Sequence, residues 1–238
     1  MKYAVFADIH GNWEALQSAL EYVRKKQLSR FLVLGDSVGY GADPNACLEW
    51  SLKNAELHVL GNHEAAVIHE ELRWSFTDWA RTAIEWTAEK LRPELAEKIK
   101  TLPYLQTDGK VTLAHGTLDD PEEFDYLTDP AGAHRSFMAA KTMFGFFGHT
   151  HVPYFFSEKG KEGGYLKPGV HKLKEGERYL LNPGSIGQPR DRDTRLSFGV
   201  FDPEELTFEI VRLPYDNKEA TRKILAEGLP RFLAERLL

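Results

Sequence analysis

Residues 3–36 read YAVFADIHGNWEALQSALEYVRKKQLSRFLVLGD and contain two hydrophobic patterns in turn. One short apolar run opens the stretch and another closes it, and runs of this length are typical of buried strands. The segment between them has apolar residues at helical spacing, at Trp13, Leu16, Leu20 and Val23. Asn12 precedes this segment in the N-cap position. A strand, a helix and a strand in this order predict two parallel strands joined by a right-handed crossover.

The alternation of strand and helix continues as far as the run LHVLG and then stops. Before that run, PNACLEWSLK predicts a second helix with Pro44 in its first turn, and LHVLG itself predicts a third strand. Residues 65–103 have no strand pattern and predict two helices, the second of which restarts at Pro93. We expect them to form a helical cap inserted into the domain. A helix near residues 130–142 separates two later strands, KVTLAHG and FGFFGHT.

Strand patterns dominate the chain after residue 150. VPYFFS, RYLLNPGS, LSFGVFD and LTFEIVRL each predict a strand, and FDPEEL predicts the turn between the last two. The polar, glycine-rich run SEKGKEGGYLKPG, residues 157–169, predicts a mobile loop. Residues 216–238 predict a C-terminal helical segment that Gly228 and Pro230 interrupt. We therefore expect a single α/β domain over residues 1–238.

The composition limits the class of protein. The chain has 238 residues, of which 42% are hydrophobic, so it can bury a sizeable core. Its formal net charge of −6 provides no basic surface for long nucleic acid or for an anionic membrane. The one cysteine, Cys47, excludes an internal disulfide and a cysteine-cluster metal site. The sequence has no signal-peptide pattern and no membrane-length apolar segment, and we expect a cytoplasmic protein.

Side chains that can bind metals or transfer protons follow five of the predicted strands. They are Asp8 and His10 after VFA, Asp36 after LVLG, Asn62, His63 and Glu64 after HVLG, His115 after VTLA, and His149 and His151 after FFG. Ligands of open α/β sheets bind outside the carboxyl ends of the strands, so these five ends should converge on one site. Because alternate residues of a strand point the same way, Asp8 should pair with His10, and His149 with His151.

A mixed set of carboxylate, imidazole and amide ligands indicates a transition-metal site. Such a set suits Mn²⁺, Fe, Co²⁺ or Zn²⁺ better than Ca²⁺. It is also larger than one ion can use, which indicates two ions that share a bridging carboxylate. Without a cation, several unpaired carboxylates and imidazoles at one cleft would be strongly unfavourable. Isolated histidines are more often only hydrogen-bonded or exposed, and this interpretation applies to His58, His69, His134 and His171.

Five motifs in a fixed order carry a family resemblance. They are DIH at residues 8–10, GD at 35–36, GNHE at 61–64, the single His115, and GHTH at 148–151. This set resembles that of the calcineurin-like metallophosphoesterase superfamily. A later segment, NPGSIGQPRDRD, resembles one found in its small prokaryotic phosphodiesterase branch. The resemblance implies an α/β fold, a four-layer αββα sandwich of two mixed β-sheets flanked by helices, with the cap near residues 65–103 as an insertion.

The resemblance also implies a role for each motif residue. One metal ion would be held by Asp8, His10, Asp36 and His151. The second would be held by Asp36, Asn62, His115 and His149, so that Asp36 bridges the ions and is a catalytic residue. His63 would be the other catalytic residue, beside the scissile phosphate and bound to no metal. The implied cofactor is a pair of divalent transition-metal ions, with manganese favoured and iron, nickel, cobalt or zinc as alternatives.

A pair of metal ions supplies the chemistry of phosphoester hydrolysis. Two cations about 3.5–4 Å apart lower the pKa of a bridging water and so provide a hydroxide at neutral pH. They also offset the charge that develops on the phosphoryl oxygens during in-line displacement. His63 would stabilise that charge or protonate the leaving oxygen. No covalent enzyme intermediate is needed.

The second motif departs from that of the protein serine/threonine phosphatases in the superfamily. Those enzymes continue it as GDxxDRG, in which the aspartate orients the catalytic histidine and the arginine binds phosphate. Here it reads GDSVGYG, with Gly39 and Tyr40 in those places. The departure argues against a phosphoprotein substrate and leaves open which residue orients His63.

Four residues are candidates for substrate contact: Arg190, Tyr40, Trp74 and Asn12. Arg190 could hold a phosphate oxygen bidentately, whereas Arg192 and Arg195 are expected in a solvated loop with two aspartates. A nucleobase could stack on the aromatic residues of the cap. However, Trp79 and Trp86 lie at helical spacing, which favours packing inside the cap. Trp74, outside that stripe, is therefore the better candidate, with Tyr40 at the lip of the second motif.

These observations predict a metal-dependent phosphodiesterase or phosphatase that acts on a small nucleotide-like substrate. Cyclic nucleotides, dinucleoside polyphosphates and phosphomonoesters are all candidates, and a specific dinucleoside polyphosphate (Ap4A-type) hydrolase is the main alternative. A non-catalytic metal-binding or scaffold protein is the alternative from another class, and degraded ligand motifs would indicate it. We expect neither long nucleic acid nor a membrane as a partner, since binding of long nucleic acid depends largely on basic residues.

Overall fold

The computed structural model describes residues 2–238. Its strands are β1 (Tyr3–Phe6), β2 (Arg30–Val33), β3 (Leu57–His58), β4 (Leu105–Asp108), β5 (Val111–Ala114), β6 (Phe144–Phe146), β7 (Pro153–Ser157), β8 (Glu162–Tyr165), β9 (Gly169–Lys172), β10 (Tyr179–Pro183), β11 (Leu196–Asp202) and β12 (Thr207–Leu213). Its helices are α1 (Trp13–Lys25), α2 (Pro44–Asn54), α3 (Asn62–Ile68), a 3₁₀ helix (Glu70–Ser75), α4 (Asp78–Lys90), α5 (Pro93–Ile99), α6 (Pro130–Ala139), α7 (Asn217–Ala226) and α8 (Arg231–Glu235). Each helix in this part of the chain is too short or too polar to cross a membrane.

The strands form two six-stranded sheets within the described residues. The first has the order β3-β2-β1-β11-β12-β9, and the second has the order β4-β5-β6-β10-β7-β8. In the first sheet β1, β2 and β3 are parallel, whereas β11 is antiparallel to β1. In the second, β6 is parallel to β5 and β10, whereas β7 is antiparallel to β10. Both sheets are therefore mixed, as the resemblance implied.

Hydrophobic packing stacks the sheets and helices in four layers. Val5 of β1 lies in the core between the sheets, together with Phe146 and Leu181 of the second sheet. Phe6 faces the other side and packs with Leu16 of α1. The outer face of the second sheet packs against α6. Because β1 is buried on both faces, its sequence is continuously apolar and does not alternate.

The cap and the C-terminal helices pack against each other. Residues 62–99 form the cap, with α3, α4 and α5 joined around a cluster that includes Ile84. Another side of α4 packs against α7 and α8 through Ala83, Ile224 and Leu233. The two predicted cap helices, the restart at Pro93 and the interrupted C-terminal segment are all present. The C-terminal helices are thus neighbours of the cap.

Two predicted elements differ from the structure, and some observed elements have no counterpart in the prediction. The strand expected over LHVLG is limited to Leu57–His58, because the chain then turns toward Pro103, whose carbonyl accepts from the Leu60 N–H at 2.8 Å. The loop expected over 157–169 instead contains β8 and the start of β9. β4 was not predicted. β4, β8 and β9 are all edge strands with exposed polar residues, so they lack the apolar pattern of the central strands.

Three of the four isolated histidines agree with the interpretation given to them. His69 and His134 are exposed, and a ring nitrogen of His171 is hydrogen-bonded to the Lys167 carbonyl at 2.8 Å. His58 is different. It is buried, and neither of its ring nitrogens has a hydrogen-bond partner among residues 2–238.

Candidate metal centre

The predicted ligands lie mostly beyond the strand ends, in left-handed backbone conformations. β1 ends before Asp8, and the φ angles of Asp8 and His10 are 52° and 49°. Those of Asp36, His149 and His151 are 54°, 64° and 59°. The strand alternation used to pair these residues is therefore wrong, because they have left the strand. A non-glycine residue in this conformation costs about 1–3 kcal/mol, and such strain concentrates at functional sites.

Backbone hydrogen bonds hold the turns against each other. The His10 N–H donates to the Asp36 carbonyl at 2.8 Å, and the Gly187 N–H donates to the Asp8 carbonyl at 2.9 Å. A Cβ at Gly187 would lie 1.9 Å from the Ile9 carbonyl oxygen, so this approach requires glycine. The NPGSIGQPRDRD segment is thus fixed directly against the first motif.

The four residues expected around the first ion are close together and buried. His10 Nε2 lies 3.1 Å from His151 Nε2 and 3.6 Å from Asp36 Oδ2. His151 Nε2 lies 3.5 Å from Asp8 Oδ1. Asp8, His10 and His151 therefore present ligand atoms that one ion could contact.

The four residues expected around the second ion meet at His115. Its Nε2 lies 2.9 Å from Asn62 Oδ1, 3.1 Å from His149 Nδ1 and 3.2 Å from Asp36 Oδ2. Asp36 is thus common to both groups, in the position that a bridging carboxylate would take.

Hydrogen bonds to Nδ1 of His10 and of His151 fix which ring nitrogen faces the predicted site of the first ion. His10 Nδ1 donates to the Val38 carbonyl at 3.0 Å, and His151 Nδ1 donates to the Gln188 carbonyl at 2.6 Å. In a neutral ring this leaves Nε2 as an acceptor. The two acceptors then face each other at 3.1 Å with no donor between them. A cation would satisfy both.

Two carboxylates also have an oxygen without a donor. Asp8 Oδ1 accepts from the His149 N–H at 3.1 Å, and Asp36 Oδ1 accepts from the His63 N–H at 2.9 Å. The Oδ2 atom of each is buried and has no hydrogen-bond partner among residues 2–238. Buried carboxylate oxygens need a compensating charge. Together with the imidazoles, they fit a divalent transition metal.

The pKa shifts of these residues agree with a cation site. Burial holds the pKa of His10 and of His151 well below its usual value, so both rings are neutral and can bind a metal. Burial raises the pKa of Asp8 to about 7. At His115, burial is outweighed by the Asp36 carboxylate, which raises the pKa to about 9. Without a metal ion the His115 ring therefore carries a proton beside Asp36, and a bound cation would take the place of that proton.

Glu64 holds the second motif, around Asp36, against α3. The motifs alone do not indicate this role. The Glu64 carboxylate accepts from the backbone N–H groups of Asp36 at 2.8 Å, Ser37 at 2.5 Å and Gly61 at 3.2 Å. The signal in the sequence is a glutamate three residues after the N-cap Gly61, as in a capping box.

His63 is held by packing. An Asp36 carboxylate oxygen lies within 4.8 Å of one of its ring nitrogens, but no carboxylate is hydrogen-bonded to the ring in the described residues. The Tyr40 ring lies 4.4 Å from it and the Phe76 ring 5.2 Å from it, both edge to face. His63 Nδ1 is buried without a hydrogen-bond partner in the described residues. It faces Gly39, where an added Cβ would lie 2.2 Å away. Tyr40, Phe76 and Gly39 together define the position of the ring.

A cavity of about 540 Å³ opens over both groups of ligands. Its lining includes Asp36 and His149 from the strand ends, and Phe76 and Trp79 from the cap. Further residues of the lining are Tyr40, His63, Glu122, Glu123, Tyr126, Arg190 and Arg236. The cap therefore lies beside the candidate metal centre.

The sequence-based substrate candidates divide into two pairs. Arg190 and Tyr40 line the cavity, whereas Trp74 and Asn12 do not. Trp74 is 77% exposed, and the Arg81 guanidinium lies 5.1 Å from the centre of its ring. Asn12 is buried and caps α1 through the Ala15 N–H at 3.1 Å. Substrate contact by Trp74 and Asn12 remains a prediction that the cavity does not support.

The cavity also includes residues that the sequence does not indicate as site residues, and three of them are Tyr126, Trp79 and Arg236. Tyr126 stacks on His149, with ring centres 4.0 Å apart and planes 19° apart. The helical spacing of Trp79 favours packing inside the cap, but Trp79 packs against Tyr40 and the C-terminal helices, and it also lines the cavity. Arg236 lies far from the motifs along the chain. No local pattern marks Tyr126 or Arg236.

Comparison with known protein families identifies one domain model. The model of the calcineurin-like phosphoesterase superfamily domain matches residues 1–206 of this chain. That span includes all five motifs and Arg190, and it ends before the C-terminal helices.

The chain is also similar to individual proteins over nearly its whole length. It is 37% identical to the uncharacterised protein MJ0912 of Methanocaldococcus jannaschii over 238 residues, which covers 98% of this chain and 96% of that protein. A metallophosphoesterase structure from Sphaerobacter thermophilus superposes with a TM-score of 0.90 at 32% identity, covering 100% and 98% of the two chains. The hypothetical protein PH1004 of Pyrococcus horikoshii superposes with a TM-score of 0.80 at 20% identity, covering 99% and 97%.

Proposed function

The chain belongs to the calcineurin-like phosphoesterase superfamily, and from this premise we propose that it is a two-metal hydrolase of small nucleotide-like phosphoesters. The observation that carries the proposal is the pair of acceptor nitrogens, His10 Nε2 and His151 Nε2, that face each other at 3.1 Å. This arrangement is unfavourable without a cation and favourable with one.

Each ion would have four protein ligands. Asp8, His10, Asp36 and His151 would hold the first. Asp36, Asn62, His115 and His149 would hold the second. Manganese is the favoured metal, because carboxylate, amide and imidazole ligands without a thiolate suit it.

The ions and the protein would divide the work of hydrolysis. When bound, the pair of ions would activate a water and polarise the phosphoryl group. Asp36 would fix their relative position, because its Oδ1 is anchored by the His63 N–H and its Oδ2 faces both histidine groups. Hydrolysis adds water across the phosphorus–oxygen ester bond, and the leaving oxygen acquires a proton.

His63 would assist as a hydrogen-bond donor. Burial lowers its pKa to about 4, so its ring is neutral at pH 7. Because Nδ1 faces Gly39, Nε2 is the nitrogen left to meet the substrate. A neutral ring suits stabilisation of a phosphoryl oxygen better than protonation of the leaving group.

A nucleotide-like substrate is favoured by the composition of the cavity. Its volume of about 540 Å³ suits a small ligand. The rings of Trp79, Phe76 and Tyr126 offer stacking surfaces for a base, and Arg190 offers a phosphate contact. A dinucleoside polyphosphate would also use these features and is the second candidate. A non-catalytic scaffold is disfavoured because every ligand motif is intact.

The proposal is tested by a hydrolysis assay on metal-stripped protein. Bis-p-nitrophenyl phosphate is supplied with Mn²⁺, Ni²⁺, Co²⁺, Zn²⁺ or Mg²⁺ added separately. We expect activity to return with at least one transition metal, best with Mn²⁺. Asp36→Asn should lower kcat/KM by at least about a hundredfold, because both ions lose a ligand.

Asp108→Asn is the matched control, since Asp108 is an exposed carboxylate on the β4–β5 hairpin. It should retain wild-type activity. Absence of hydrolysis with every metal, or equal activity of Asp36→Asn and wild type, would rule out the two-metal proposal.

A further inference from the structure

Two arginines from distant parts of the chain meet at the cavity. Arg190 follows β10, and Arg236 follows α8 at the C-terminal end of the chain. Both line the cavity, and both guanidinium groups approach the same acceptor, Gln188 Oε1, at 3.4 Å and 3.3 Å. The C-terminal helical segment thus brings a second positive charge to the candidate site.

Neither guanidinium has a carboxylate partner within 4.0 Å among residues 2–238. The neighbouring arginines do, because Arg195 pairs with Asp193 and Arg212 pairs with Asp191. Arg190 Nε is buried with no hydrogen-bond partner in the described residues, and its Nη2 contacts are long, at 3.4 Å. The hydrogen-bonding capacity of this arginine is therefore largely unused.

The charge of Arg236 is also uncompensated. Burial, followed by the nearby charge of Arg190, holds the pKa of the Arg236 guanidinium below its usual value. Glu122 and Glu123 line the same cavity, but neither forms an ion pair with these arginines in the described part of the chain. A bound anion between the arginines would relieve their repulsion.

The two arginines lie at different distances from the metal ligands. The Arg190 N–H donates to the His151 carbonyl at 3.3 Å, so Arg190 is adjacent to the first group of ligands. Arg236 packs on the Trp79 and Phe232 rings, at 5.4 Å and 4.7 Å, and reaches Arg190 only through Gln188. The positive charges therefore continue from the metal centre toward the cavity rim.

We propose that Arg190 and Arg236 form a second anion subsite, which selects substrates that carry at least one further phosphate beyond the scissile one. The inference rests on the proposed function and narrows its substrate class to phosphoesters with a linear phosphate chain. Arg190 binds nearer the metals and Arg236 binds the outer phosphate. The guanidinium fork suits phosphate oxygens, and the aromatic rings below Arg236 hold it in place.

The test compares two inhibitors that differ only in phosphate number. Metal-loaded protein hydrolyses bis-p-nitrophenyl phosphate in the presence of AMP or ATP, with Mn²⁺ in excess over nucleotide. Wild-type protein should bind ATP more tightly than AMP. In Arg236→Met, which replaces the guanidinium with an uncharged, unbranched side chain, the ratio of the two inhibition constants should fall about tenfold to a hundredfold.

Arg231→Met is the matched control, because Arg231 begins α8 but is exposed and paired with Glu235. It should keep the wild-type ratio. The inference would be overturned if wild-type protein showed no preference for ATP over AMP. It would also be overturned if Arg236→Met kept the wild-type preference. An equal loss for AMP and ATP, with a lower unfolding temperature, would assign Arg236 to packing alone and would also overturn it.

Failure of this inference can be separated from failure of the proposed function. If wild-type protein hydrolyses no diester, the proposed function fails. Calorimetric titration of metal-loaded protein with ATP and with AMP then still measures the affinity of the subsite for each nucleotide. If hydrolysis occurs without discrimination between ATP and AMP, only the subsite is ruled out.

Discussion

At the scale of single residues, the position of His63 depends on a glycine and on aromatic rings. The phosphatase motif would place an aspartate where this chain has Gly39, and an arginine where it has Tyr40. In this chain Tyr40 and Phe76 contact the His63 ring, and Gly39 leaves room for Nδ1. These contacts account for an oriented histidine without the missing carboxylate.

Replacing Gly39 should therefore displace His63. An alanine Cβ would lie 2.2 Å from His63 Nδ1, so the ring must move. We expect Gly39→Ala to reduce kcat for bis-p-nitrophenyl phosphate about tenfold to a hundredfold while the bound metal content stays that of wild type. Steady-state kinetics and elemental analysis of the same samples measure both quantities.

Gly109→Ala provides the control for backbone strain. Both glycines have positive φ, 85° at Gly39 and 54° at Gly109, but an added Cβ at Gly109 meets nothing within 4 Å. Gly109→Ala should lower the stability of the protein slightly and leave its activity unchanged. Equal loss of kcat in the two variants would show that strain, and not contact with His63, causes the effect.

The candidate ligand residues could be selected from sequence because residue type and motif order are local properties. Their backbone geometry could not. Aspartate and histidine adopt left-handed conformations more often than most residues do, but most aspartates and histidines do not adopt them, so residue type alone does not mark the turns at Asp8, His10 and Asp36. Arg236 and Tyr126 could not be predicted either. Both reach the cavity through tertiary packing, which sequence periodicity does not encode.

At the scale of elements, the apolar central strands were predictable and the polar edge strands were not. Segment 157–169 has the composition of a loop, with glycines and charged residues. Nevertheless β8 pairs with β7 of the second sheet, and β9 pairs with β12 of the first. The connection from β8 to β9 thus passes from one sheet to the other. Backbone pairing with β7 and β12, rather than burial of side chains, explains why β8 and β9 form.

His58, the last residue of β3, should make the stability of the folded state sensitive to acid. Burial lowers the pKa of His58 to about 4, below its ordinary value of 6.5. The neutral ring is therefore the form that the folded state favours. This contribution to stability is complete above pH 6.5 and is lost as the pH falls toward 4.

His58→Gln should remove that part of the acid sensitivity. Between pH 7 and pH 5, metal-stripped wild type should lose about 2 kcal/mol more unfolding free energy than the variant. Urea denaturation of both proteins at the two pH values measures the difference. The variant can be less stable at pH 7 without affecting this comparison. Parallel losses in the two proteins would contradict the assignment.

The cap element supplies a further comparison, between two tryptophans. Trp79 lines the cavity and packs near Tyr40, with ring centres 5.6 Å apart, whereas Trp74 is exposed outside the cavity. Trp79→Leu should raise the inhibition constant of AMP more than Trp74→Leu does, by about tenfold if a base stacks there. The reverse order would favour Trp74, the residue expected from sequence.

At the scale of the whole molecule, the two sheets bring residues from both halves of the chain to one centre. Asp8 and Asp36 follow strands of the first sheet, whereas His115 and His149 follow strands of the second. The family resemblance predicted this architecture correctly. The contact of the C-terminal helices with the cap, which positions Arg236, lay beyond the motifs and was not predicted.

The number of metal ions bound by each chain tests the central claim most directly. Metal-stripped protein is dialysed against Mn²⁺ at pH 7.5, and metal and protein are then quantified by elemental analysis. We expect two ions per chain for wild type and for Asp108→Asn, and fewer than one for Asp36→Asn because both ions lose a ligand. One ion or none in wild type, or two in Asp36→Asn, would contradict a two-metal centre bridged by Asp36.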